Sequence, residues 1–251
     1  MNILRTAAVV AAIGLTMAGC VARENPSSES GEDFPTAASE EPTSDSEDTS
    51  SGGGGTEGDC AFTADQSGEP SVGLPPDEGP VDATALALTT SAGPLTIQFD
   101  ADRAPCTVQS MAFLAGEGYF DGTKCHRLTT SAGLRVLQCG DPAGDGTGGP
   151  GYVVPDEFPT DLPPAQDGSS VTYPRGIVAM ANAGPGTTGS QFFLVYGDST
   201  LPPDYTVFGT LDEASLATLD QVAAAGVTPG GNGAEDGAPV TPVTIESAKV
   251  A

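Results

Sequence analysis

The chain has 251 residues, with 34 Asp and Glu against 8 Lys and Arg, and a formal net charge of -26. Nothing basic clusters along it, which argues against nucleic acid as a partner. Length allows one sizeable domain with appendages, and composition narrows it to that.

Residues 1–19 run from a single basic Arg5 through an apolar stretch, Ala7 to Leu15, to the small-residue site Met17-Ala18-Gly19-Cys20. This reads as a bacterial lipoprotein signal peptide, too short to span a bilayer and processed before Cys20, which would carry the lipid. The mature chain would then sit at the outer face of the cell membrane, held by its acyl chains. Residues 20–80 are dominated by Ser, Glu, Asp, Thr, Pro and Gly, and read as a flexible acidic linker that cannot bury enough surface to offset chain entropy. Residues 81–251 form the folded domain.

Within that domain, Thr84 to Thr90 and Leu95 to Phe99 alternate apolar and polar residues around Ser91-Ala92-Gly93-Pro94, a β-hairpin pattern. A helix follows from Pro105, with Val108, Met111, Ala112 and Ala115 at helical spacing, and ends at Gly116 and Gly118. Strands are expected at Lys124 to Leu128 and Leu134 to Cys139, then a Gly-rich loop from Gly140 to Gly151. Short strands follow at Gly176 to Met180, Gln191 to Val195 and Val207 to Leu211. A second helix, Glu213 to Ala225, turns Leu216, Leu219 and Val222 inward. A strand at Val243 to Ser247 closes the domain. Many short strands with two helices predict a mainly β fold, a closed antiparallel β-barrel capped by both helices.

Five cysteines leave four once Cys20 is set aside: Cys60, Cys106, Cys125 and Cys139. An even set in an exported chain points to two disulfides, and the lack of a Cys-x-x-Cys pair argues against zinc or any other metal. Three pairings are open. Strand parity disfavours Cys125 with Cys139, because Cys125 is in step with Arg127 while Cys139 is out of step with Gln138, unless a bulge intervenes.

The run MANAGPGTTGSQFF, Met180 to Phe193, carries the most information. Gly184-Pro185-Gly186 reverses the backbone, Thr187, Thr188 and Ser190 can bond local main chain, and Gln191-Phe192-Phe193 opens a buried strand. Together with Cys125-His126-Arg127-Leu128, Val136-Leu137-Gln138-Cys139-Gly140-Asp141 and Gly146-Thr147-Gly148-Gly149, it resembles the cyclophilin-type peptidyl-prolyl isomerases over roughly Ala83 to Val250. The resemblance implies an eight-stranded barrel and a cofactor-free isomerase of proline-containing exported polypeptides, a monomer by default. Arg127, Gln138, Asn182, Gln191 and Phe193 fall on the family's catalytic positions, and Val136, Met180, Ala181, Leu201, Tyr205 and Phe208 on or near its substrate-binding wall.

The chain also departs from that pattern. The pocket phenylalanine expected shortly before Gln138 is replaced by the stretch Leu134, Arg135, Val136. Thr200 falls near the place of a pocket tryptophan, Tyr205 stands where histidine is common, and reduced binding of cyclosporin-like ligands is implied.

Isomerisation requires a preference for the twisted amide over both planar forms, against a barrier of about 18 to 20 kcal/mol. Twisting localises the nitrogen lone pair, which a fixed cation can stabilise by a hydrogen bond in a sheltered site; Arg127 suits that role. The single histidine, His126, should face away from Arg127 and be structural. No Ser/His/Asp triad surrounds it, which removes the hydrolase reading. A proline-binding chaperone module with little turnover is the alternative.

Overall fold

The computed structural model describes residues 60–65, 71–76 and 82–251. Residues 1–19, Cys20 and most of the linker lie outside that range. Residues 60–65, assigned to the linker by composition, are part of the fold: Cys60 is disulfide-bonded to Cys106, and β1 (Thr63–Ala64) pairs with β7 (Tyr152–Val153).

The opening hairpin is β2 (Ala85–Thr90) and β3 (Gly93–Phe99). Helix α1 (Pro105–Gly116) begins with Pro at its start, where a missing N–H costs nothing. No side chain of its own caps it. Instead the Glu157 carboxylate accepts from the Cys106 and Thr107 N–H groups, both at 2.9 Å, and supplies negative charge at the positive end of the helix. Next come β4 (Lys124–Cys125), β5 (Arg127–Thr129), β6 (Arg135–Cys139) and β7, then β8 (Val171–Tyr173), β9 (Ile177–Met180), β10 (Phe192–Gly197), β11 (Ser199–Leu201) and β12 (Val207–Leu211). Helix α2 (Glu213–Ala225) is capped by Asp212, whose carboxylate accepts from Ser215 N–H, and buries Leu216, Leu219 and Val222 as its spacing predicts. The strands β13 (Val227–Gly230), β14 (Gly233–Pro239) and β15 (Val243–Val250) complete the chain.

Eleven strands form one sheet in the order β13-β14-β5-β6-β10-β9-β12-β3-β2-β15-β4. The expected closed eight-stranded barrel is therefore corrected to an open, curled sheet. The hairpin β13–β14 is the physical reason. It occupies the outer edge of β5, pairing Asp236 with Thr129 and Gly237 with Leu128, so that edge is closed to β4 or β15. The curl still brings β4 back beside β6, where a Lys124–Asp141 bridge and the Cys125–Cys139 disulfide fasten the seam.

That disulfide overturns the parity argument. Arg127 and Gln138 do pair across β5 and β6, as the argument assumed. However, the ladder breaks at His126: Cys125 belongs to β4 and pairs with Val243 of β15, not with the partner of β5. The break resets side-chain alternation, and Cys125 turns inward toward Cys139.

Alternation along the central strands sorts side chains onto two faces. Phe192, Leu194 and Tyr196 of β10, Val178 and Met180 of β9, and Leu137 and Cys139 of β6 join the large core under both helices. Phe193 and Val195, Ala179, Val136 and Val207 form a second cluster on the opposite face with Tyr173. Both disulfides close loops, of 46 and 14 residues' separation, and each contributes on the order of 3 kcal/mol by restricting the unfolded chain.

Candidate active site

Arg127 of β5, Val136 and Gln138 of β6 and Phe193 of β10 lie side by side on the second face, because Arg127 pairs with Gln138 and Gln138 with Phe193. Ala181 and Asn182, just past β9, and Leu201 and Tyr205, at and after β11, complete a cavity of about 140 Å³, together with Leu134. The arginine wall is polar; the floor and far wall are apolar. Phe193 packs edge-on against Tyr205, with ring centroids 5.6 Å apart, and against Tyr173 at 6.3 Å.

A continuous rail of hydrogen bonds runs along one rim. Arg127 Nη1 donates to Gln138 Oε1 at 3.3 Å, and Gln138 Nε2 donates to Gln191 Oε1 at 2.9 Å. Gln191 Nε2 then donates to the carbonyls of Gly146 and Gly148 at 3.0 and 2.9 Å. Because a guanidinium can only donate, the rail has one direction and fixes both amide orientations. Gln191 has both amide hydrogens engaged on the Gly-rich loop, so its side chain braces that loop. Gln138 and Asn182 each keep one amide hydrogen free, the latter after donating to Asp204 O at 2.7 Å. Among the described residues the Asn182 main-chain N–H and C=O are unpaired, an edge that an extended peptide can use.

The Gly140–Gly151 loop is folded around a charge. The Asp141 carboxylate is fully buried and accepts main-chain N–H groups of Ala143, Asp145 and Gly146, which replace its lost water. Gly140 has φ +86°, and a Cβ there would lie 2.3 Å from Ser190 O, so no other residue fits. Across from it, Ser190 Oγ donates to Gly140 O at 2.7 Å, and Thr188 Oγ1 donates to Asp156. Of the three hydroxyls expected to bond local main chain, only Thr187 stays within its own turn; the other two tie the loop to neighbouring segments.

Two expected wall residues lie elsewhere. Met180 pairs with Phe192, and Phe208 packs against Phe192 and Phe99; both are fully buried in the large core, on the far side of the sheet from the cavity. For Phe208 the cause is strand parity: Val207, one residue earlier, faces the second cluster. His126 lies half-buried beneath the Gly-rich loop, its ring 3.5 Å from where a Gly146 side chain would begin, and Nδ1 has no partner. Burial is the main cause that lowers its pKa from 6.5; Asp141 and Asp145 oppose this and Arg127 reinforces it.

Two contributors escaped the sequence reading. Tyr173 shares its single O–H between the carbonyls of Pro202 and Tyr205 and accepts from Tyr205 N–H, holding the segment that carries Leu201 and Tyr205; burial raises its pKa to about 12. Asp236 of β14 accepts from Arg127 Nε and Nη2, each at 2.8 Å. That pairing raises the arginine pKa and holds the Asp236 carboxyl below its ordinary 3.8. A lone Asp in a Gly-rich stretch carries no sequence signal for this.

The comparisons with known proteins agree with this geometry. Residues 85–250 match the family "Cyclophilin type peptidyl-prolyl cis-trans isomerase/CLD". The chain belongs to that family. Among curated relatives it is 53% identical over 180 residues to a probable peptidyl-prolyl cis-trans isomerase B of Mycobacterium leprae, covering 70% of this chain and 59% of that one. A protein of the same name from Mycobacterium tuberculosis is 55% identical over 166 residues, 65% of this chain and 53% of the relative. The chain thus spans little more than half the length of these two proteins. A solved cyclophilin-type isomerase of Cryptosporidium parvum superposes with a TM-score of 0.54 at 26% identity, over 67% of this chain and 98% of that one. A second structure of it, in the presence of the dipeptide Ala-Pro, gives 0.53 at 27%, over 66% and 98%.

Proposed function

We propose that this chain is a peptidyl-prolyl cis-trans isomerase acting on proline-containing polypeptides. The observation that carries the reading is a guanidinium on the wall of a small apolar cavity floored by Phe193. A proline ring seated on Phe193, between Val136, Leu201 and Tyr205, would bring its amide nitrogen toward Arg127. An N–H aimed at that nitrogen is worth most when the lone pair localises, at the twisted state, and little in either planar form. The free Asn182 main-chain edge and the spare Gln138 amide hydrogen would hold the chain on either side while one end turns. The Ala-Pro dipeptide used with the Cryptosporidium protein supports a proline-containing ligand here.

A protease-coupled or NMR exchange assay on a succinyl-Ala-Xaa-Pro-Phe peptide tests this. Arg127→Ala should lower kcat/KM by about 100-fold or more, the range seen when a transition-state donor is removed, measured on the folded protein, because leaving the sheltered Asp236 carboxylate without its partner also lowers the melting temperature. An inactive wild-type protein, or full activity in the variant, would overturn the assignment. Peptide binding without exchange would instead support the proline-binding module.

An extracytoplasmic, lipid-anchored location is part of the same proposal. It is supported by the two disulfides, which persist in oxidising compartments. Mass spectrometry of the membrane-extracted protein should find Cys20 diacylated at a processed N-terminus; an intact residue 1–19 segment would count against it.

A further inference from the structure

Arg127 is held before any substrate arrives. Of the five N–H donors of a guanidinium, Asp236 engages two and Gln138 a third, which leaves one on each terminal nitrogen. The carboxylate takes the Nε/Nη2 edge as a planar, two-point clamp, so it fixes the tilt of the guanidinium as well as its place. The clamp is sheltered, with the Asp236 side chain 18% exposed and that of Arg127 34%.

The clamp is built from an element remote in sequence. Asp236 lies 109 residues from Arg127 and reaches it because β14 pairs with β5, with Asp236 opposite Thr129 and Thr130 N donating to Glu235 O at 2.9 Å. The side chain of Asn232, in the turn of the same hairpin, adds a smaller push in the direction that keeps the Asp236 carboxyl ionised. Gly237 next to it admits no side chain, since a Cβ would sit 2.1 Å from Thr228 O and 2.6 Å from Gly230 N. The β13–β14 hairpin is thus closed tightly behind the carboxylate.

We propose that Asp236 is the positioning residue of this site: it orients Arg127 so that the remaining Nη hydrogens enter the proline cavity, raising turnover rather than peptide affinity. A carboxylate beside the arginine also offsets part of its positive potential, which weakens general attraction for a peptide. What it supplies in return is orientation settled in advance, the condition under which a donor acts on the transition state without reorganising. The proposal rests on the isomerase reading above.

The test measures kcat and KM separately by NMR exchange on a prolyl peptide. Wild-type activity is the first control: its absence would remove the isomerase reading rather than the positioning role. In an active protein, Asp236→Ala and Asp236→Asn should each lower kcat by about 10- to 100-fold, the cost of a small misplacement of a catalytic group, with KM within about twofold. Asp236→Glu should recover part of the loss, because both oxygens remain. The Arg127 Nε–H signal, slow to exchange in the wild type, should exchange rapidly in the Ala variant and recover in the Glu variant. If the Ala variant fails to fold, the near-isosteric Asn variant carries the comparison. Unchanged kcat in the folded Asn variant, a loss in KM alone, or an Arg127 Nε–H unaffected by the substitutions would each overturn the proposal.

Discussion

Phe192 and Phe193 are neighbours on β10, but they serve opposite faces of the sheet. Phe192 is fully buried and meets Phe120 and Phe208 edge-on, at 5.9 and 6.3 Å, in the core that both helices cover. Phe193 meets Tyr173 and Tyr205 in a cluster that opens onto the cavity. The covered face is filled, so removing volume there costs stability. The open face keeps a space of about 140 Å³ beside its aromatics, and that space is where a ligand can bind. One sheet therefore carries a filled core on one side and the open candidate site on the other, at a spacing of a single residue.

The largest effect should come from the covered face. Phe192→Ala should destabilise by about 3–5 kcal/mol, transfer and cavity terms together, while the folded fraction keeps its kcat/KM. Phe193→Ala should cost less, about 1.5–3 kcal/mol, because the new void joins an existing opening; its activity loss should exceed its stability loss. Paired denaturant titrations and isomerase assays compare the two. Equal stability costs, or an activity loss confined to Phe192→Ala, would break the contrast.

The smallest effect concerns His126, half-buried beneath the Gly-rich loop at the break between β4 and β5. Burial lowers its pKa below 6.5, so as pH falls the unfolded chain takes up a proton before the native one does. Stability is therefore fully present above about pH 6.5, and declines as pH falls from there toward the lowered native pKa. With a single histidine in the chain, an NMR titration reads this directly. A native pKa at or above 6.5, or a stability slope between pH 5 and 7 that persists in His126→Gln, would remove the effect.

Local pattern was legible wherever local forces dominate. Both helices were visible: Pro105 suits a first turn, and Leu216, Leu219 and Val222 recur at helical spacing. The hairpin β2–β3 showed as alternation around Ser91-Ala92-Gly93-Pro94, of which Ser91-Ala92 make the turn and Gly93 and Pro94 open β3. Other features depended on breaks in a regular period. Cys125 pairs with Cys139 because the ladder is interrupted at His126, which alternation alone does not reveal. In the hairpin β13–β14, written in VTPG and GAEDGAP, only Val227 and Thr228 are β-branched and β14 has none of the residues that mark strands; it forms through pairing to β5.

The sequence by itself determined the two helices, most of the central strands, and the family to which Arg127, Gln138 and the Met180–Phe193 run point. Only the tertiary structure decided that the sheet stays open, that Met180 and Phe208 belong to the covered core, and that Asp236 clamps Arg127. The physical reason is range. The helix period is set by neighbours three or four residues away and the strand period by neighbours two away, whereas face, register and ion pairing are set by which distant strand lies alongside. For Arg127 that strand is β14, more than a hundred residues further along the chain.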